Sequence, residues 1–214
     1  MTARSETGRR TQADRRARTR SALLEAAARG FSRYGYANLR LERVAADAGY
    51  TRGALYHLFA NKEDLALAVV KWVDETWHEE VGGLADAEAD PVDALIAIAR
   101  GHAVYCRRDV ARVLMTLRIE FTGQEHPVGR AIEEVAERLI TDCADRIVAG
   151  RDSGRLPPGP PPRETALAYV GALQGLVILL AGQAPHDVEL AERAVRGVLG
   201  LSVPMEQNGA LGTT

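Results

Sequence analysis

The sequence predicts an all-α fold. Three observations carry this. Apolar residues recur at spacings of three and four along most of the chain, which is the period of one helix face. Runs of alternating apolar and polar residues, the mark of a half-buried strand, are absent. Glycine, proline and capping residues fall between the apolar stripes, where helices should start and stop.

Residues 1–10 are polar and without period, and read as a disordered basic tail. From Thr11 the pattern is helical, with Leu23, Leu24, Ala27, Ala28, Phe31 and Tyr34 on one stripe, and Gly35 supplies a left-handed stop. A short helix at about 41–48 places Leu41, Val44, Ala45 and Ala48 on one face and ends at Gly49. Thr51 caps a second short helix at about 52–59. Asn61 caps a third, which opens Lys62-Glu63-Asp64 with acids at its positive end and carries Leu65, Val69, Trp72, Val73 and Thr76 on one side. Gly82-Gly83 and Asp90-Pro91 then punctuate the chain. Further helices are expected at about 91–107, 110–122 and 128–150, a proline-rich loop at 155–162, and two last helices at about 164–182 and 188–201. The tail 204–214 reads as flexible.

With 46% hydrophobic and 26% charged residues the composition is that of a globular protein, and 5% aromatics leaves the core to Ala, Leu, Val and Ile. Charge is uneven. Residues 1–65 carry 13 basic and 7 acidic side chains (+6), and residues 66–214 carry 14 and 22 (−8). A basic end on an acidic body suits a polyanion at that end, although a solvated basic tail has the same signature. Cys106 and Cys143 form no C-x-x-C pair and have no histidine at zinc spacing, so they read as reduced core thiols; a disulfide or redox switch is the other reading. No apolar segment follows the N-terminal arginines, which argues against a secretory signal and for a cytoplasmic protein. The longest apolar stretch, 166–182, is interrupted by Tyr169 and Gln174 and falls short of the roughly 20 residues a membrane span needs. It is expected to be buried against protein, with no membrane partner.

Two short helices joined at Gly49-Tyr50 have the geometry of a helix-turn-helix. The residues add to this. The stretch Gly35-Tyr36…Leu41-Glu42-Arg43-Val44-Ala45…Ala48-Gly49-Tyr50-Thr51-Arg52-Gly53-Ala54-Leu55-Tyr56-His57-Leu58-Phe59-Ala60-Asn61-Lys62-Glu63-Asp64-Leu65 resembles the DNA-binding domain of the tetracycline-repressor (TetR) family, over about residues 12–65. The resemblance implies a DNA-binding domain at 11–65, a ligand-binding and dimerisation domain at 66–203, and a homodimer on double-stranded operator DNA that answers to a small-molecule effector. No cofactor or metal is expected.

The small and polar residues at and around the second short helix have physical reasons to meet DNA. Arg52 heads it, where a side chain projects into the major groove and a guanidinium can donate to guanine O6 and N7 or to a phosphate. Gly53 and Ala54 are small enough for close approach, and Ala54 can touch a thymine methyl. Thr51 offers a hydroxyl at a helix start, the same place from which it caps the helix. The resemblance makes Tyr56 and His57 phosphate contacts; a half-buried packing role is the alternative for Tyr56. Lys62 opens the next helix and joins its N–H groups in one anion site. Leu55, Leu58 and Phe59 should face the core. The family usually has Thr or Ser as caps where Leu39-Arg40 stands here, which weakens the cap, and Arg40 would replace the phosphate contact usual there with a longer cation that can also touch a base. Arg9, Arg10, Arg15, Arg16, Arg18 and Arg20 either track phosphates or make up a solvated face.

In the body, the family pattern implies a ligand pocket among the central helices. Candidates are Trp72, Thr76, His102, Tyr105, Cys106, Met115, Phe121 and Gln124, each of which could equally be core. Gly171 and Gly175, one turn apart, with Ala168, Ala172 and Leu179 near the same face, suit a close helix-to-helix dimer contact; an intramolecular core helix is the alternative. Against an enzyme, His78-Glu79-Glu80 lacks the second histidine of a zinc-protease motif, and no G-x-S-x-G, P-loop or dinucleotide fingerprint occurs. A ligand-released repressor is the expected function. An activator of the same fold, or a helical interaction protein using the motif as scaffold, remain the alternatives.

Overall fold

The computed structural model describes residues 12–180 and 184–202. All regular elements among the described residues are helical. They are α1 (Gln12–Asn38), α2 (Leu41–Asp47), α3 (Arg52–Tyr56), α4 (Lys62–Trp77), α5 (Gly83–Asp86), α6 (Pro91–Tyr105), α7 (Val113–Phe121), α8 (Pro127–Asp152), α9 (Pro162–Leu180) and α10 (His186–Val198). A π-helical turn, His78–Gly82, joins α4 to α5, and a 3-10 turn, Asp109–Arg112, precedes α7. The two expected tails, 1–10 and 204–214, lie outside the described residues.

The chain forms two compact units, one taking the residues up to Asp74 together with Asp109–Glu133, the other Glu75–Arg108 and the residues from Glu134 onward. The first unit is built on α1, which packs against α2 and α7. Leu23, Ala27, Ala28 and Phe31 of α1, with Leu55, Phe59, Leu65 and Leu117, are fully buried or nearly so. Gly35 breaks α1 with a φ of 72°, and the last residues to Asn38 follow that kink. Only glycine fits there. A side chain would be strained at that φ, and its Cβ would lie 2.7 Å from Glu120 Oε2.

In the second unit α6 is the hub, packed against α5, α9 and α10. Its start is fixed by Asp90, whose Oδ1 accepts from the N–H groups of Val92 (2.8 Å) and Asp93 (3.1 Å). Its end is tied to α10 by a two-pronged pair, Arg107 Nε to Asp187 Oδ2 and Nη2 to Oδ1, both 2.8 Å. Arg107's hydrogen bonds hold the buried Asp187 carboxyl below the usual carboxylate range. The Tyr169 hydroxyl of α9, fully buried, donates to Leu95 O of α6 at 2.5 Å. Both cysteines are buried free thiols, as composition suggests. Burial pushes Cys143 up to about 12, so it stays protonated.

Several boundaries differ from the sequence reading. Gly82 and Gly83 do not stop the helix: both adopt right-handed helical angles, and the chain stays helical to Asp86. Gly101 on α6 accounts for the close contact there, since a Cβ on it would come within 3.0 Å of Leu84 and 3.2 Å of Val81. Pro162 opens α9 instead of closing the loop, in the first-turn position where a missing N–H costs nothing. α3 is shorter than expected, although Phe59 N still donates to Leu55 O at 2.9 Å. α10 begins two residues earlier and ends at Val198, where Leu201 N and Gly200 N turn back onto Arg196 O and Gly197 O.

Candidate DNA-reading site

The turn between α2 and α3 is fixed by backbone hydrogen bonds. Tyr50 N donates to Ala45 O (2.9 Å) and Gly49 N to Ala46 O (3.0 Å), the two closures of a Schellman motif. The motif needs a left-handed residue, and Gly49 supplies it at φ 75°. Thr51 then caps α3, its Oγ1 accepting from Ala54 N at 3.2 Å. Asn61 caps α4 by accepting from Asp64 N (2.9 Å), while Asp64 accepts in return from Ala60 N (2.9 Å). Leu55 and Phe59 are buried as expected, and Leu58 is only half-buried.

This frame leaves Thr51, Arg52, Gly53, Tyr56 and His57 exposed together, with Ala54 half-buried between them. Arg52 lies between two neighbours. Its Nε is 3.3 Å from Glu42 Oε1 on α2, and its guanidinium carbon is 5.3 Å from the centre of the Tyr56 ring. Arg40 stands before α2 with an exposed side chain and makes no cap hydrogen bond. Arg43 stacks on the Tyr34 ring at 4.4 Å.

Lys62 is placed differently. It is half-buried, its Nζ donates to Ala37 O at 3.0 Å, and it lies 4.9 Å from the centre of the Tyr36 ring. Burial lowers the ammonium's pKa, and the Glu120 carboxylate offsets part of that. Glu120 of α7, which no sequence pattern singled out, grips the same turn. Its two oxygens accept from Tyr36 N (2.5 Å) and Ala37 N (2.7 Å). Two successive N–H groups beside a left-handed glycine make an anion nest, here filled from within the chain. His126 completes the group, stacked 4.3 Å from Phe121, 5.3 Å from Tyr36, and 3.6 Å from the Glu63 carboxylate.

The candidate ligand residues fall into two groups. Thr76, His102, Tyr105 and Cys106 come together in the second unit. Thr76 Oγ1 and the Tyr105 hydroxyl are hydrogen-bonded at 2.9 Å, and Cys106 Sγ is 3.6 Å from His102 Nε2. Trp77, which the sequence reading passed over for Trp72, donates from Nε1 to His102 Nδ1 at 3.1 Å. Burial depresses His102 to about 4 and raises Tyr105, so both are neutral near pH 7. The other candidates belong to the first unit. Phe121 is buried against Tyr36 and His126, Met115 and Trp72 are half-buried, and Gln124 is exposed with its amide donating to Glu120 O at 2.7 Å.

Within the described residues α9 is buried over part of its surface. Thr165, Ala166, Tyr169, Val170 and Leu173 are buried, but Ala168 and Gly171 are exposed, and Ala172 and Gly175 half-buried. Leu179 is 74% exposed and Ile178 59%. A Cβ built on Gly171 or Gly175 meets nothing within 4 Å. By length and apolar character alone α9 is also a helix that could cross a membrane; the bond from Tyr169 to α6 sets it in a protein core.

Comparison with known proteins agrees with this arrangement. The family described as bacterial regulatory proteins, tetR family, matches residues 23–69. The chain is 29% identical over 168 residues to the A-factor receptor protein of Streptomyces griseus, covering 77% of this chain and 56% of that one, so the match spans little more than half of that receptor. It is 27% identical over 193 residues to the transcriptional repressor AcnR of Corynebacterium glutamicum, covering 86% and 95%. Among solved structures, AibR in complex with isovaleryl coenzyme A and operator DNA shares the fold, with a TM-score of 0.68 and 21% identity over 86% of this chain and 100% of that one. The frame of α2, the Gly49 turn and α3 lies inside the residues that match the tetR family of bacterial regulatory proteins.

Proposed function

We propose that the protein is a homodimeric repressor that binds a near-palindromic operator and leaves it when a small molecule binds. The exposed row Thr51, Arg52, Gly53, Tyr56 and His57 on a rigidly capped α3 carries this reading. Arg52 reads a base, most simply guanine O6 and N7; Gly53 and Ala54 allow close approach; Thr51, Tyr56, His57 and Arg40 hold phosphates. Lys62 gives one N–H to Ala37 O and meets a phosphate through the others. The DNA-binding domain is 11–65 and the ligand-binding and dimerisation domain 66–203.

The bare face of α9, with Ala168, Gly171, Ala172, Gly175 and Leu179, supports dimerisation there, because a soluble apolar face without an internal neighbour needs an external one. Thr76, His102, Tyr105 and Cys106, joined by Trp77, support an effector site made of neutral polar groups. AibR, crystallised with both a coenzyme A thioester and operator DNA, supports the pairing of two ligands on one such fold. The protein acts in the cytoplasm and is not an enzyme.

Selection of bound sequences from a random DNA pool tests the reading. The expected site has dyad symmetry, with half-sites about 34–36 Å apart or a multiple of that. A selected site without symmetry would defeat it. An effector must also be reciprocal: operator DNA should weaken its binding, followed by tryptophan fluorescence, by the factor by which it weakens DNA binding.

A further inference from the structure

We infer that Glu42 is a specificity-determining positioning residue, holding Arg52 in its base-reading orientation and penalising DNA that offers no base to read. The inference rests on the proposed base-reading role of Arg52. Glu42 and Arg52 are ten residues apart and meet only because the Gly49 turn folds α3 back on α2. The closest approach, 3.3 Å, is at Nε, so a bidentate contact with guanine can use the terminal nitrogens. The Tyr56 ring also lies 5.3 Å from the guanidinium, so the side chain touches both an anion and a π-face.

A purely structural role explains this pair poorly. The Arg52 and Glu42 side chains are 65% and 53% exposed, and ion pairs this wet add little to folding. What the pair changes is the orientation of a long, flexible side chain before DNA arrives, which lowers the ordering cost of contact. Glu42 also places a negative charge at the start of α2, beside the exposed Arg40 and Arg43. Against phosphates that charge is unfavourable unless Arg52 answers it. Correct DNA keeps the two side chains in register. Incorrect DNA, held by phosphate contacts alone, meets the unfavourable charge and gains no base contact.

The test uses the full-length protein, its selected operator and a non-operator duplex of equal length, with Kd measured for Glu42→Asp, Glu42→Ala, Arg52→Ala and Glu42→Ala/Arg52→Ala. Glu42→Asp keeps the charge but shortens the reach by one methylene. It should weaken operator binding about two- to tenfold and leave non-operator binding unchanged. Glu42→Ala should weaken operator binding equally and strengthen non-operator binding, two changes of opposite sign that a folding defect would not produce. The double variant should discriminate no worse than Arg52→Ala alone. If both single Glu42 variants keep the native ratio of operator to non-operator affinity while Arg52→Ala lowers it, the positioning role is wrong and base reading by Arg52 stands. Additive losses in the double variant would overturn the positioning role in the same way. If Arg52→Ala itself leaves the ratio unchanged, base reading fails, and the positioning role fails with it.

Discussion

The reading head and the Trp77–His102 cluster hold their polar groups in opposite ways. On α3 the groups are charged and wet: Arg52 touches Glu42 and Tyr56 at the surface and stays more than half exposed. Around His102 they are neutral and satisfied by one another, with Trp77 donating to His102 and Thr76 bonded to Tyr105. A group that must meet a phosphate chain gains from keeping its charge in water until contact, since little desolvation is then added at binding. A group lining a protein interior gains from neutrality, because a buried unpaired charge costs several kcal/mol. Salt is therefore the lever on the first region and pH on the second.

The largest expected effect leaves both regions intact. Gly175→Arg adds a long charged side chain where the described residues offer no obstacle within 4 Å of the Cβ, so the protomer should fold normally. If two copies of α9 meet there, sedimentation should give a monomer. Operator affinity in a gel shift should then fall on the order of 10²–10⁴-fold through lost effective concentration. A dimer with normal DNA binding would move the interface to another helix.

The pH lever comes next. In the unfolded chain an imidazole titrates near 6.5, whereas burial holds folded His102 at about 4. As pH falls the unfolded chain takes up the proton first. The stability tied to His102 is thus complete above about pH 6.5 and drains away towards pH 4, by roughly 2–3 kcal/mol. His102→Gln keeps an acceptor for Trp77 without that titration and should flatten melting temperature against pH over this window. Superimposable curves would assign the slope to another group.

Glu120→Ala tests whether the exposed head depends on support from α7. It removes two hydrogen bonds to a charged acceptor, at 2.5 and 2.7 Å, and should cost about 1.5–3 kcal/mol of stability. Amide exchange at Tyr36 and Ala37 should rise first; unchanged protection there would show that the turn holds without the carboxylate.

The finest distinction lies within the head. Arg52→Ala should weaken operator binding by about 1–3 kcal/mol and relax preference at one base pair in each half-site. Lys62→Ala should weaken all DNA alike and flatten the salt dependence by about one phosphate contact. Because Lys62 already donates to Ala37 O, a loss of stability in Lys62→Ala without any change in salt slope would recast it as a clasp for the turn.

Most of the reading head was legible in the sequence because its signals are local. Gly35 and Gly49 take the left-handed angles their places at helix ends require, and Thr51 and Asn61 cap as their spacing suggested. Contacts set by tertiary folding were not legible. Glu120 reaches a turn 83 residues away in sequence, and nothing in its own surroundings marks it. Trp77 and Trp72 look alike as tryptophans on one helical stretch; only the direction each side chain takes puts Trp77 on His102. The apolar richness of α9 was visible, but not which of its residues pack within the chain.

The π-helical turn at His78–Gly82 makes chain length matter in its neighbourhood. A π turn takes in about one more residue than an α turn, and each residue of an α-helix rotates the next by about 100°. Deleting a single residue from the turn would let it relax to an ordinary α-helix, and the residue lost cancels the extra one the π turn takes in, so α5 would keep its facing. Leu84, which approaches Gly101 on α6, and the buried Ala85 would stay aimed as they are. Deleting a residue from the α-helical stretch before the turn would instead rotate α5 by about 100° and should do far more harm.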